Sequence, residues 1–149
     1  MVRVLVTGMS GAGKSTLLAE LSRRGHETVD TDYGSWQLPD GTWDEYRMAA
    51  LLDRDATVVV SGTVDNQGRF YDRFHNVVVL SAPLAVLVER AVNRSNNPYG
   101  KTSEQQADIG RFVREVEPLL ERGATVRLDG RRPVSELADA VEQLLTATA

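Results

Sequence analysis

Residues Gly8-Met9-Ser10-Gly11-Ala12-Gly13-Lys14-Ser15 put glycines, a lysine and a hydroxyl at a spacing suited to holding phosphate. They match G-x-x-x-x-G-K-[S/T], the P-loop pattern. In such a loop the backbone N–H groups of residues 11 to 16 turn inward and make a nest for an anion. The helix that follows adds the partial positive charge of its N-terminus. The residues assigned to the phosphates are Gly8, Ser10, Gly11, Ala12, Gly13, Lys14, Ser15 and Thr16. Lys14 suits the β- and γ-phosphates, and the Ser15 hydroxyl suits Mg²⁺.

Two further groups have types that fit phosphate chemistry. Asp30-Thr31-Asp32 ends a short β-branched run. One carboxylate of that pair can orient the waters of Mg²⁺ while the other accepts a hydrogen bond from an acceptor hydroxyl. Arg90 and Arg94 lie one helical turn apart, just before Ser95-Asn96-Asn97-Pro98-Tyr99-Gly100, the densest run of turn formers in the chain. That arrangement suits a lid over about 94–104 whose arginines close on the transferring group, with Lys101 as a further phosphate contact. Candidates for an acceptor pocket are Tyr33, Trp36, Trp43, Arg47, Asp65, Asn66, Gln67 and Arg69. Trp36 and Trp43 would stack on a ring or sugar, the polar residues would match hydroxyls, and Arg47 or Arg69 would take an anionic group.

The elements that must position these residues follow from periodicity. Val2–Val6, His26–Val29, Ala56–Val60, Val77–Leu80 and Ala124–Leu128 read as strands. Helices are expected over about 15–24, 43–53, 83–94, 103–121 and 134–145, with a short one within 65–74. Trp43, Tyr46, Ala50 and Leu51 are expected on one side of the second helix, Ser103 as N-cap of the long one, and Pro118 as a distortion near its end. Short apolar strands alternating with helices predict an α/β fold in three layers with a five-stranded parallel sheet. Ligands of such sheets sit beyond the carboxyl ends of the strands, so Gly8–Ser15, Asp30–Asp32, Ser61–Gly68 and Ser81–Ala82 should surround one cleft. No linker or repeat divides residues 1–149, which read as a single domain.

Bulk properties narrow the function classes. The chain has 149 residues, 42% of them hydrophobic, and a formal charge of −4, which argues against nucleic acid or a membrane surface as partner. It contains no cysteine, so a disulfide or Cys-based metal site is excluded. With no run of about 20 apolar residues and no leader segment before the first strand, the expectation is a cytoplasmic protein, monomeric or homodimeric. Only Lys14 and Lys101 are lysines among the 17 basic residues; the rest are arginines.

Three chemistries compete: phosphoryl transfer to a small molecule, a GTPase switch, and nucleotide binding without transfer. Asp65-Asn66-Gln67-Gly68 fits the D-x-x-G of a GTPase, but no N-K-x-D guanine-reading loop is present. Val58-Val59-Val60 ends in Ser61-Gly62 rather than in the acid of an ATPase Walker B strand.

Together the P-loop, Asp30-Thr31-Asp32 and the arginines before the turn-rich loop resemble the group of shikimate, gluconate and nucleoside-monophosphate kinases. The resemblance implies sheet order 2-3-1-4-5, Asp30 in the Mg²⁺ shell with Ser15, Asp32 on the acceptor hydroxyl, and Arg47 on an anionic substrate group. It also implies that adenine lies against Arg132 and Pro133, after the fifth strand. The text departs from those kinases at Ser61–Arg69, which lacks their glycine triplet, and at Asn97–Lys101. There the wording resembles small actinobacterial proteins known only as ATP-binding. The expected function is an ATP- and Mg²⁺-dependent phosphotransferase acting on a sugar, cyclitol, nucleoside or hydroxy acid. Lys14, Asp32, Arg90 and Arg94 would be catalytic, and Trp36, Arg47, Asp65, Asn66 and Arg69 would join Asp32 on the substrate.

Overall fold

The structure, a computed structural model, describes residues 1–93 and 100–147. Five strands, β1 (Arg3–Gly8), β2 (Thr28–Asp30), β3 (Val58–Ser61), β4 (Asn76–Ser81) and β5 (Val126–Asp129), form one parallel sheet. Its order is β2-β3-β1-β4-β5, as the resemblance implied. The central strands β1, β3 and β4 are Val-rich because both of their faces are covered. Around them lie α1 (Lys14–Arg23), α2 (Glu45–Asp53), α3 (Leu84–Asn93), α4 (Ser103–Glu115), α5 (Glu117–Gly123), α6 (Val134–Ala147) and a 3-10 helix (Gln67–Arg73).

Alternation along the strands sorts the core into two layers. Val4, Val6 and Val59 pack with Leu17, Leu18 and Leu21 of α1 and with Leu137, Val141 and Leu145 of α6. Leu5, Val58 and Val60 pack with Met48, Leu51 and Leu52 of α2, with Phe70 and Phe74, and with Trp43. Among described residues no helix is long and apolar enough to cross a membrane.

Three local expectations change. Helix α2 begins at Glu45, because Asp44 is its N-cap and accepts from the Arg47 amide at 3.2 Å. Its buried stripe is therefore Met48, Leu51 and Leu52, and Tyr46 is 92% exposed instead of sharing a face with Trp43. The expected helix over 103–121 is two helices, α4 and α5, since Pro118 has no N–H for the next rung of the ladder. Thr102, not Ser103, is the N-cap of α4, in a capping box with Gln105.

Candidate functional site

The loop between β1 and α1 has the backbone a phosphate nest requires. Gly13 precedes α1 in the left-handed region, at φ 108°, where a side chain would be strained. Helix α1 has no side-chain cap, which leaves its first amides to an anion. Lys14 folds back along the loop: its Nζ donates to the carbonyl of Gly8 at 2.6 Å and to that of Met9 at 3.3 Å. Burial of the ammonium pushes its pKa down from 10.5 to about 8, against the opposing pull of Asp32 and Asp30.

Opposite the loop, the tip of β2 supplies the two acids. Ser15 Oγ donates to Asp30 Oδ2 at 2.7 Å, and Asp30 Oδ1 accepts from the Asp32 amide at 3.1 Å. Strand β3 lies between β1 and β2, with Ser61 in register with both Val6 and Asp30. Ser61 therefore points to the α1 face, as Asp30 does, and its buried Oγ has no hydrogen-bond partner among the described residues. A serine hydroxyl, a carboxylate and an orphaned buried hydroxyl on one face form an all-oxygen donor set, the kind Mg²⁺ takes. Among described residues no group of three or more His, Cys, Asp or Glu could hold a metal by itself.

A cleft of about 520 Å³ runs along this loop. Ser10, Gly11, Gly13, Lys14, Ser15, Thr16 and Asp32 line it, with Tyr33 at its side. At its far end stand Gly130, Arg132, Val134 and Leu137, the turn after β5 and the start of α6. Of the residues expected at the base, Arg132 lines the cleft and its Nε pairs with Glu136 at 3.0 Å. Pro133 opens α6, its carbonyl accepting from the amides of Glu136 and Leu137. Gly130, Val134 and Leu137 were not singled out from the sequence. The signal for Gly130 is steric, since a Cβ there would sit 2.5 Å from the Ala12 carbonyl oxygen.

Arg90 lines the same cleft. It donates to the carbonyls of Gly11 at 2.9 Å and Gly130 at 2.8 Å, tying the phosphate loop to the β5–α6 turn. Arg94 and most of the expected lid lie outside the described residues. Lys101 donates to the carbonyl of Val92 at 2.6 Å, at the end of α3.

The expected acceptor set separates. Trp43 is fully buried, and its indole N–H donates at 2.9 Å to the Thr31 hydroxyl, which donates at 2.7 Å to the Ser61 carbonyl. It is a core residue, because a large apolar ring gains more from burial than from exposure. Asn66 is likewise engaged within the fold. Its carbonyl accepts from the Trp43 amide at 2.9 Å, and its amide donates to the Trp43 carbonyl at 3.1 Å and to Glu45 at 3.0 Å. That side chain is used up in pinning the loop before α2. The Arg47 guanidinium lies 4.0 Å over the Trp36 ring and donates to the Gly34 carbonyl, so both residues brace the β2–α2 loop and one face of the indole is covered. Arg69 is exposed and 3.4 Å from Glu45. Of the expected acceptor residues, Asp32 and Tyr33 line the cleft described above, and Asp65 and Gln67 line a second cavity beside the loop.

Comparisons with known proteins follow this geometry. A nucleotide-binding protein of Burkholderia cenocepacia (strain HI2424) is 27% identical over 97% of this chain, which spans about half (47%) of that relative's length. Shikimate kinase from Acinetobacter baumannii, in complex with shikimate, superposes with a TM-score of 0.74 at 20% identity, covering 99% of this chain and 94% of that one. Deoxyadenosine kinase from M. mycoides with bound dATP gives 0.65 at 15% identity over 97% and 99%. A gluconokinase from Sinorhizobium meliloti 1021 gives 0.58 at 21% identity over 93% and 87%. These three likenesses establish the fold. Residues 4–111 match the family model described as an AAA domain, and the chain belongs to that family, with a P-loop nucleotide-binding, kinase-like fold.

Proposed function

We propose that this domain is an ATP- and Mg²⁺-dependent phosphotransferase that moves the γ-phosphoryl group to a hydroxyl of a small molecule. The observation that carries the reading is the Ser15–Asp30 hydrogen bond with Asp32 beside it, across one cleft from Lys14. Ser15 and Asp30, with Ser61 behind them, are the residues to hold Mg²⁺, which when bound neutralises charge on the phosphates. Lys14 and the uncapped amides of α1 bind the phosphate oxygens. Asp32 is placed to align an acceptor hydroxyl and take its proton, since among the described residues its carboxylate accepts only from Gln37, at 3.3 Å. Arg90 keeps the loop at a fixed distance from the β5–α6 turn, where Arg132, Val134 and Leu137 offer a place for the base. Catalysis of this kind is positioning and charge stabilisation.

A second reading, nucleotide binding without an acceptor, is favoured by the name of the Burkholderia relative, which mentions nucleotide binding alone. One assay separates them: ADP release from ATP with Mg²⁺, across nucleosides, sugars, cyclitols, alcohols and hydroxy acids. Acceptor-dependent ADP supports the phosphotransferase. Tight ATP binding with the same slow ADP release in every well supports the binding module.

A further inference from the structure

A second cavity, of about 460 Å³, opens beside the phosphate loop at Met9. Met9 of the loop, Val64 after β3, and Phe112, Val116 and Leu119 from α4 and α5 wall it. This volume is within the range of small-molecule sites. Phe112 is 37% and Leu119 56% exposed, an apolar rim on which the Arg111 guanidinium lies 5.2 Å from the Phe112 ring centre.

The cavity reaches the reacting end of the P-loop. Thr63, which lines it, donates at 2.6 Å to the Gly8 carbonyl. That carbonyl also accepts from Lys14 Nζ at 2.6 Å. The two side chains thus meet on one oxygen, which links the wall of this cavity to the ammonium that faces the phosphates.

Its polar wall is already committed. Gln67 is buried, donates to Thr7 at 3.0 Å and to the Tyr71 hydroxyl at 2.8 Å, and accepts from the Val64 amide at 2.9 Å. Thr63 and Thr7 are 3.1 Å apart and share a hydrogen bond. Spending these groups on one another leaves carbon surface for a ligand. No lysine or arginine is among the described residues that line it, and Asp65 is the one charged side chain at its edge. A carboxylate or phosphate ester there would be desolvated beside an acid, with no cation among the described lining residues to pair with.

We propose that the acceptor is an alcohol with a largely apolar ring, neutral or bearing an amine, seated in this cavity with its hydroxyl toward Gly8 and Lys14. The proposal rests on the phosphotransferase reading. In the transfer, the hydroxyl oxygen bonds to the γ-phosphorus and the bond from that phosphorus to the β–γ bridging oxygen breaks. ADP leaves with the electron pair, and the hydroxyl proton passes to Asp32. An amine on the ring compound would pair with Asp65.

The test uses the full chain with ATP and Mg²⁺, comparing benzyl alcohol, cyclohexylmethanol and 2-amino-1-phenylethanol with glycerol, glucose and gluconate. The expected result is ADP release dependent on the ring alcohols. Phe112→Ser and Leu119→Ser, both at the exposed rim, should each raise KM for them about tenfold, with the loss on acceptor KM rather than on ATP KM. Asp65→Asn should remove any preference for the amino alcohol. Turnover of glucose or gluconate in preference, or rim variants with unaltered acceptor KM, overturns the apolar assignment and leaves the phosphotransferase standing. ATP binding without acceptor-dependent ADP from any compound overturns both.

Discussion

Ser15 at the start of α1 gives its hydroxyl hydrogen to Asp30 at the tip of β2, 2.7 Å away. The bond spans three strands of the sheet, since β3 separates β2 from β1. It joins the hydroxyl of the phosphate loop to a carboxylate that the loop's own pattern does not contain.

Replacing Asp30 with Asn should weaken the Mg²⁺ site while keeping a hydrogen-bond partner for Ser15. The Mg²⁺ concentration for half-maximal activity should rise about tenfold, the loss of one charged ligand at a site with few. Titration of Mg²⁺ at fixed ATP checks this. An unchanged requirement would move the metal away from Asp30.

Proton linkage at Lys14 makes nucleotide affinity depend on pH. Burial holds its pKa near 8 in the free protein, below the usual 10.5. Phosphate oxygens favour the ammonium, so binding raises that pKa. Above about pH 8, binding therefore takes up a proton and affinity falls as pH rises; below it, this group contributes no pH dependence. Calorimetry in two buffers of different ionisation heat measures the uptake. Lys14→Ala should abolish it and lower transfer by about 10²-fold or more with the fold intact.

Among the described residues the Asp32 carboxylate accepts a hydrogen bond from Gln37 alone, at 3.3 Å, and so carries almost no structural duty. Asp32→Asn should therefore lower kcat by about 10²-fold or more while ATP KM and Tm stay near wild type. A drop in Tm with kcat preserved would make it a turn residue.

Asn66 should behave in the opposite way. Asn66→Ala leaves the Trp43 amide and carbonyl without their partners, which costs about 1–3 kcal/mol. Urea unfolding should show that loss, with ATP KM little altered in the folded protein. If activity on the acceptor falls with stability intact, the side chain reaches the substrate after all.

Arg90→Ala removes the link between the Gly11 and Gly130 carbonyls. Because the residue fixes the loop rather than closing over it, the expected effect is on ATP KM, raised about tenfold, along with a lower Tm. A loss confined to kcat, with ATP KM and Tm unchanged, would return Arg90 to the transferring group.

Several elements were legible along the chain because their signals are local. The P-loop needs a contiguous run of residue types, so its place between β1 and α1 follows from reading them in order. The Val-rich strands and leucine-spaced helices likewise carry their period in short windows. Pro118 announced a break in its helix, while the cap of α4 and the starts of α2, β2, β3 and β5 shifted by a residue or two.

The two tryptophans show where local reading stops. Trp36 and Trp43 lie seven positions apart in one irregular segment, and nothing in their neighbours tells them apart. Trp43 is buried because Thr31 and Asn66, distant in sequence, supply partners for its indole and backbone. Trp36 is half-buried under Arg47. In the same way, Asn66 looks like a substrate ligand until both ends of its amide are seen to be taken. By itself the sequence determined the phosphate loop, the acids at the end of a strand and the class of sheet, because each is set by neighbours along the chain. Only the tertiary structure decided which acid meets Ser15, which arginine braces the loop and which cavity adjoins Lys14. Those depend on β3 lying between β1 and β2 and on helices from the far half of the chain closing over the strand ends.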